Sequence, residues 1–155
     1  VNKDIQKKWA DALRSGRYNK CRNHLAVWAP ATEERAYCAL GVLVELAIAD
    51  GVRVASQSPD AEEFPEDEVF EGMPHNETDW FLVYYDGMTS SLPSNVMKWA
   101  GLHYEAPRLT VSPDHHPHVD RHLVDGDTVS VTYLNDDAKL SFDVLADLIE
   151  AGEVI

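Results

Sequence analysis

The residues from Tyr37 to Ala49 read Tyr-Cys-Ala-Leu-Gly-Val-Leu-Val-Glu-Leu-Ala-Ile-Ala and run into Asp50-Gly51, a helix stop. A helix that is apolar almost all round has no face to give to water, so this segment is expected to be the buried central helix, around residues 37–49. The rest of the chain then has to cover it. Gly41 within it costs about 1 kcal/mol of helix propensity relative to Ala, and the expected compensation is close packing against a neighbour.

Around this pillar, local signals predict further elements. Ile5, Trp9, Ala12 and Leu13 share one helical face from Lys3 to Arg14, ended by Ser15-Gly16. Val52 to Ala55 reads as a short strand, and Trp80 to Tyr85, ending at Asp86-Gly87, as a longer one. Leu92 to Leu102 is a short helix marked by Pro93 and Gly101, with Val96, Trp99 and Ala100 inward. Arg108 to Val111 and Thr128 to Leu134 read as strands, the second because Val129, Val131 and Tyr133 alternate with polar neighbours. A last helix starts at Ser141 and turns Phe142, Leu145, Ala146 and Ile149 to one side. Residues 57–79 read as an acidic insertion. The expected fold is a single α+β domain over residues 1–155: a small, mostly antiparallel sheet packed with about four helices.

Charge is unevenly spread. The net charge is −14, yet residues 1–22 hold seven of the 13 basic side chains, and no Lys or Arg occurs from Val54 to Met97. Such a surface repels nucleic acid over most of its area, so general DNA binding is not expected. No apolar run is long enough to cross a bilayer, and Val1-Asn2-Lys3-Asp4 is too polar for a signal peptide, so the cytoplasm is the expected location. Cys21 and Cys38 are expected to be free thiols.

Four segments taken together carry a resemblance: Ala12 to Tyr18 (Ala-Leu-Arg-Ser-Gly-Arg-Tyr), Tyr37 to Leu43 (Tyr-Cys-Ala-Leu-Gly-Val-Leu), Leu92 to Leu102, and Leu134-Asn135-Asp136 with Ser141-Phe142 and Ala146 to Glu150. The set resembles a group of small uncharacterised proteins encoded by tailed bacteriophages and prophages. The resemblance implies a phage or prophage origin and action in the host cytoplasm, and it implies no activity. Where the group has a glycine-containing stretch after Arg17-Tyr18, this chain has Asn19 to His24.

Several residues could carry chemistry. Cys38, at a helix N-terminus, would feel the positive end of the helix dipole and could act as a nucleophile with a histidine and Asn135 or Asp136. The competing and favoured reading is a packed thiol, because Cys38 sits in the most apolar stretch of the chain. His115, His116, His118 and His122, with Asp114 and Asp120 nearby, form a dense imidazole cluster suited to zinc or a similar divalent metal; a solvated surface loop needs none, and no cofactor is the first expectation. Asn135, Asp136 and Asp137 could line a site at a strand end, or simply make an Asx-turn aiming the chain at the last helix. Lys3, Lys7 and Arg14, continued by Arg17, Lys20 and Arg22, could dock an acidic partner or a phosphate backbone, or be the solvated side of a helix. The acidic stretch from Asp60 to Glu71, with Phe64, Val69 and Phe70 as apolar anchors, could imitate nucleic acid or engage a basic host protein, or be a solvated loop.

The favoured function is a non-enzymatic phage accessory protein acting as an interaction module on a host protein. The alternative is a small cysteine hydrolase using Cys38, or a metal-binding protein using the histidine loop. Oligomeric state is not readable from the sequence.

Overall fold

The computed structural model describes residues 1–58, 80–111 and 128–155. The acidic stretch with Phe64 and Phe70, and the loop with His115, His116, His118 and His122, lie outside the described residues.

Helix α1 (Lys3–Arg14) starts where the Asn2 side chain accepts from Asp4 N and buries Ile5, Gln6, Trp9, Ala10, Ala12 and Leu13. Short strands β1 (Asn19–Lys20), β2 (Ala26–Ala29) and β3 (Glu34–Tyr37) follow. Helix α2 (Ala39–Ala49) is the expected pillar and packs against α1, α3 (Ser94–Ala100), α4 (Val131–Asp136) and β3. Trp9 is fully buried and donates its indole N–H to Ala39 O at 2.8 Å, which fixes α1 against the start of α2. Gln6 performs the same task toward α5 (Phe142–Ala151), donating to the carbonyls of Ile149 and Gly152. The architecture is α+β, as expected, with five helices among the described residues.

The main sheet has strand order β1-β3-β2-β5, with β5 being Phe81–Leu82. Strand β1 runs parallel to β3, while β2 pairs antiparallel with both β3 and β5. Two small ribbons complete the sheets: β4 (Ser56–Gln57) with β6 (Tyr84–Tyr85), and β7 (Arg108–Thr110) with β8 (Thr128–Ser130).

Four expectations need correction. Tyr37 belongs to β3 rather than to the helix, because it pairs with Lys20 on one side and Ala26 on the other. The helix therefore begins one residue past Cys38, which is its N-cap. Residues 128–134 are not one strand: the chain turns helical at Val131, whose spacing to Leu134 and Asn135 buries all three on one helical face. Both periods were present in that sequence, and the helical one wins because it buries Leu134 and Asn135 together. Trp80 to Tyr85 is divided between two sheets, since Val83 still donates to Ala26 O while Tyr84 pairs with Gln57. The strand expected at Val52 to Ala55 lies instead at Ser56–Gln57. Asp86 holds Ala55 through both its backbone and its carboxylate, so pairing starts only beyond that clamp.

Candidate functional site

The end of the β1/β3 pair is where the sequence-predicted residues meet. Cys21 N donates to Tyr37 O at 2.8 Å, extending the parallel ladder by one step. The next rung would join Ala39 N to Cys21 O, but there β3 has already turned into α2. Asn135 fills the gap: its Oδ1 accepts from Ala39 N at 3.2 Å, and its Nδ2 donates to Cys21 O at 3.1 Å. One side-chain amide thus stands in for a peptide unit between two diverging strands. It also satisfies a helix N-terminal N–H that has no partner within the helix.

Asp136 works from the same place. Its Oδ1 accepts from Asn135 Nδ2 at 2.6 Å and from Asn23 N at 3.0 Å, holding Asn23 in a left-handed conformation (φ 66°). Lys20 Nζ donates to Asn135 O at 3.1 Å. The stretch from Asn19 to His24 is therefore tied to the end of α4. Asn135 is 1% exposed, so its amide is spent inside the protein rather than offered to a ligand. In place of a local Asx-turn after a strand, Asn135 and Asp136 lie at the end of α4 and bond to Ala39, Cys21 and Asn23, far along the chain.

Cys38 lies in this cluster and is buried, its sulfur accepting from Gly41 N at 3.4 Å as the helix N-cap. Burial pushes its thiol up to about 12, outweighing the lowering by the Gly41 and Leu40 N–H groups; Asp136 nearby adds to the rise. An activated thiolate, the alternative reading of Cys38, is therefore not favoured here. Among the described residues no imidazole hydrogen-bonds this sulfur. Because the folded-state value lies above the ordinary 9.0, the buried thiol contributes stability that is intact below pH 9 and lost as pH rises from 9 toward about 12. Urea unfolding followed across that window should show up to about 1.4 kcal/mol of lost stability per pH unit from this group. A Cys38→Ala variant should have a correspondingly shallower slope, and equal slopes would mean that the thiol is exposed.

The basic stripe is largely consumed internally. Arg14 Nη2 lies 2.6 Å from both Asp147 Oδ1 and Glu150 Oε2, clamping α1 to α5. Lys7 pairs with Asp11 at 2.9 Å, and Lys3 donates to Gln6 Oε1 at 3.1 Å. Arg17, exposed just past α1, has no carboxylate within salt-bridge distance among the described residues.

A second polar cluster went unnoticed in the sequence. Glu45, the one charged residue of α2, accepts from the Tyr85 hydroxyl at 2.6 Å. Tyr85 is fully buried, and burial, with Glu45 beside it, raises its phenol above 10.0; Tyr37 is raised for the same two reasons. A lone glutamate in an otherwise apolar helix was the available signal, because a carboxylate held there needs a donor.

Among the described residues no group of His, Cys, Asp and Glu has the arrangement to hold a metal ion, and no helix is long and apolar enough to cross a membrane. No curated protein and no solved structure matches the chain. A family profile does match, described as a domain of unknown function (DUF8296), and it spans residues 1–153. That span takes in α1, the Asn135 clasp, the β7/β8 ribbon and the whole of α5, and the chain belongs to the DUF8296 family.

Proposed function

We propose that the protein is a phage-type accessory protein working without catalysis, an interaction module that engages a host protein in the host cytoplasm and needs no cofactor. The observation that carries this reading is the fate of the chemistry-bearing groups. The Cys38 thiol, the Asn135 amide and the Asp136 carboxylate all converge, and they converge on each other and on backbone. A hydrolase would need that thiol ionised and facing a cleft. The sequence also concentrates charge of one sign: from Val54 to Met97 it has ten acidic residues and no Lys or Arg. Charge of one sign concentrated in one stretch steers encounter with a partner of opposite sign and rejects partners of the same sign.

Capture from host lysate followed by reconstitution with each purified candidate tests the reading. At least one binary complex is expected with Kd below about 10 μM. Failure of every reconstitution overturns the proposal. So does hydrolysis of an activated ester that vanishes in Cys38→Ala, which would favour the hydrolase. Zinc binding lost on replacing His115, His116, His118 and His122 would favour the metal-binding alternative.

A further inference from the structure

One face of the main sheet carries a row of side chains that the core covers only in part. Strand residues alternate between faces, so Arg35 and Tyr37 of β3 point to one side, while Glu34 and Ala36 point to the other. Trp28 lies directly opposite Arg35 in the ladder, with the guanidinium carbon 5.3 Å from its ring centroid. Phe81 lies directly opposite Trp28 on the next strand. Tyr18, just before β1, meets Tyr37 edge to face at 5.4 Å, which places it on the same side. Tyr18, Arg35, Trp28 and Phe81 thus span the four strands, the rings half-buried and Arg35 exposed.

The charge here opposes that of the molecule. From Ala12 to Thr32 the sequence has no Asp or Glu but carries Arg14, Arg17, Lys20 and Arg22. Arg14 is taken by Asp147 and Glu150. By contrast, no carboxylate among the described residues comes within salt-bridge distance of Arg17 or Arg35. A guanidinium stacked on indole is preorganised, and although Arg35 also interacts with the Tyr37 hydroxyl, its fork of N–H donors leaves others for a carboxylate. Trp, Tyr and Arg are also the residue types that dominate binding energy at protein interfaces.

We propose that this face, with Arg17 and Arg35 flanking Tyr18, Trp28 and Phe81, docks an acidic segment of a partner protein that also carries an apolar or aromatic anchor. The proposal rests on the interaction reading above, that the protein engages a partner protein, and adds to the acidic stretch a second surface of opposite charge, one that takes an acidic segment of that partner. A peptide suits the face better than a nucleic acid strand, because each added phosphate meets the repulsion of a molecule with net charge −14, whereas a short peptide brings few charges.

Fluorescence anisotropy on the full chain tests it, using labelled octapeptides of alternating Glu and Phe, the Lys and Phe counterpart, and a twelve-nucleotide dT strand. The acidic peptide should bind, and the basic peptide and dT strand should not. Arg35→Ala should weaken binding about tenfold and Arg17→Ala about threefold, while Lys98→Ala, exposed on α3, should leave it unchanged. The surface assignment is overturned if the acidic peptide fails to bind at about 1 mM, if Arg35→Ala binds it as well as wild type, or if the dT strand is the probe that binds. A reconstituted host complex unaffected by Arg35→Ala and Arg17→Ala would overturn this surface while leaving the interaction reading standing. Absence of any host complex would overturn that reading first.

Discussion

Replacing Gly41 with alanine should destabilise the protein by about 3 kcal/mol or more, although alanine is the better helix former by about 1 kcal/mol. A Cβ at this position would lie 1.7 Å from Leu25 O, 2.7 Å from Leu25 C and 3.3 Å from Leu25 Cα. All three atoms are backbone, so no side chain can swing away. Leu25 is itself held, because its carbonyl accepts from Cys38 N and its N–H donates to Thr89 O. The helix cannot retreat either: Trp9 holds Ala39 O and Asn135 holds Ala39 N. Relief therefore has to break a hydrogen bond or open the contact between α2 and the β2 entry. For a chain of this length each kcal/mol moves Tm by about 2–4 °C, so the variant should melt roughly 10 °C lower. Urea and thermal unfolding measure it, and a Gly41→Ala protein as stable as wild type would show that α2 does not approach Leu25 as described.

That glycine illustrates what could be read in advance. Its propensity penalty in an apolar helix called for close packing, and the sequence alone could not say against what. Elements with strong local punctuation were legible almost to the residue: α1 from its apolar spacing and Ser15-Gly16, α3 from Pro93 and Gly101, and α5 from Ser141. Strands β2 and β3 were not foreseen. Each has four residues, too short for a period-2 pattern to stand out, and β2 mixes Ala26, Val27, Trp28 and Ala29 without alternation. With that hairpin unforeseen, the row formed by Tyr18, Arg35, Trp28 and Phe81 was invisible, since it exists only through strand register. Cys38, Asn135 and Asp136 were singled out in the sequence as a possible catalytic set, and the structure brings them together in another arrangement. That arrangement depends on hydrogen bonds spanning 96 to 114 residues, and no local pattern encodes which backbone groups will be left unpaired where two strands diverge.

Removing the Asn135 amide is expected to be nearly as damaging as crowding Gly41, for the opposite reason. Asn135→Ala leaves Ala39 N–H and Cys21 C=O buried without a partner, and each such loss costs about 1–3 kcal/mol. The predicted total is about 2–5 kcal/mol, read from urea unfolding at pH 7. Asn135→Asp separates shape from chemistry, because the new side chain is nearly isosteric and can still accept from Ala39 N. Its second oxygen, however, would face Cys21 O and the Asp136 carboxylate, where the native amide donates to both. Ionisation there is opposed by burial and by like charge, so the introduced carboxyl should have a folded-state pKa above the unfolded value of about 3.9. The sign follows: protonated, the carboxyl can still donate one hydrogen, so its contribution is intact below about pH 4 and is lost as pH rises through the folded-state value. Relative to wild type, Asn135→Asp should therefore become progressively less stable between pH 4 and neutrality, while Asn135→Ala should show a constant deficit. If both deficits stay constant with pH, position 135 is hydrated and the amide is not the missing rung between Cys21 and Ala39. A deficit that grows for Asn135→Asp alone would tie the stability of the whole β1/α2 junction to a single donated hydrogen.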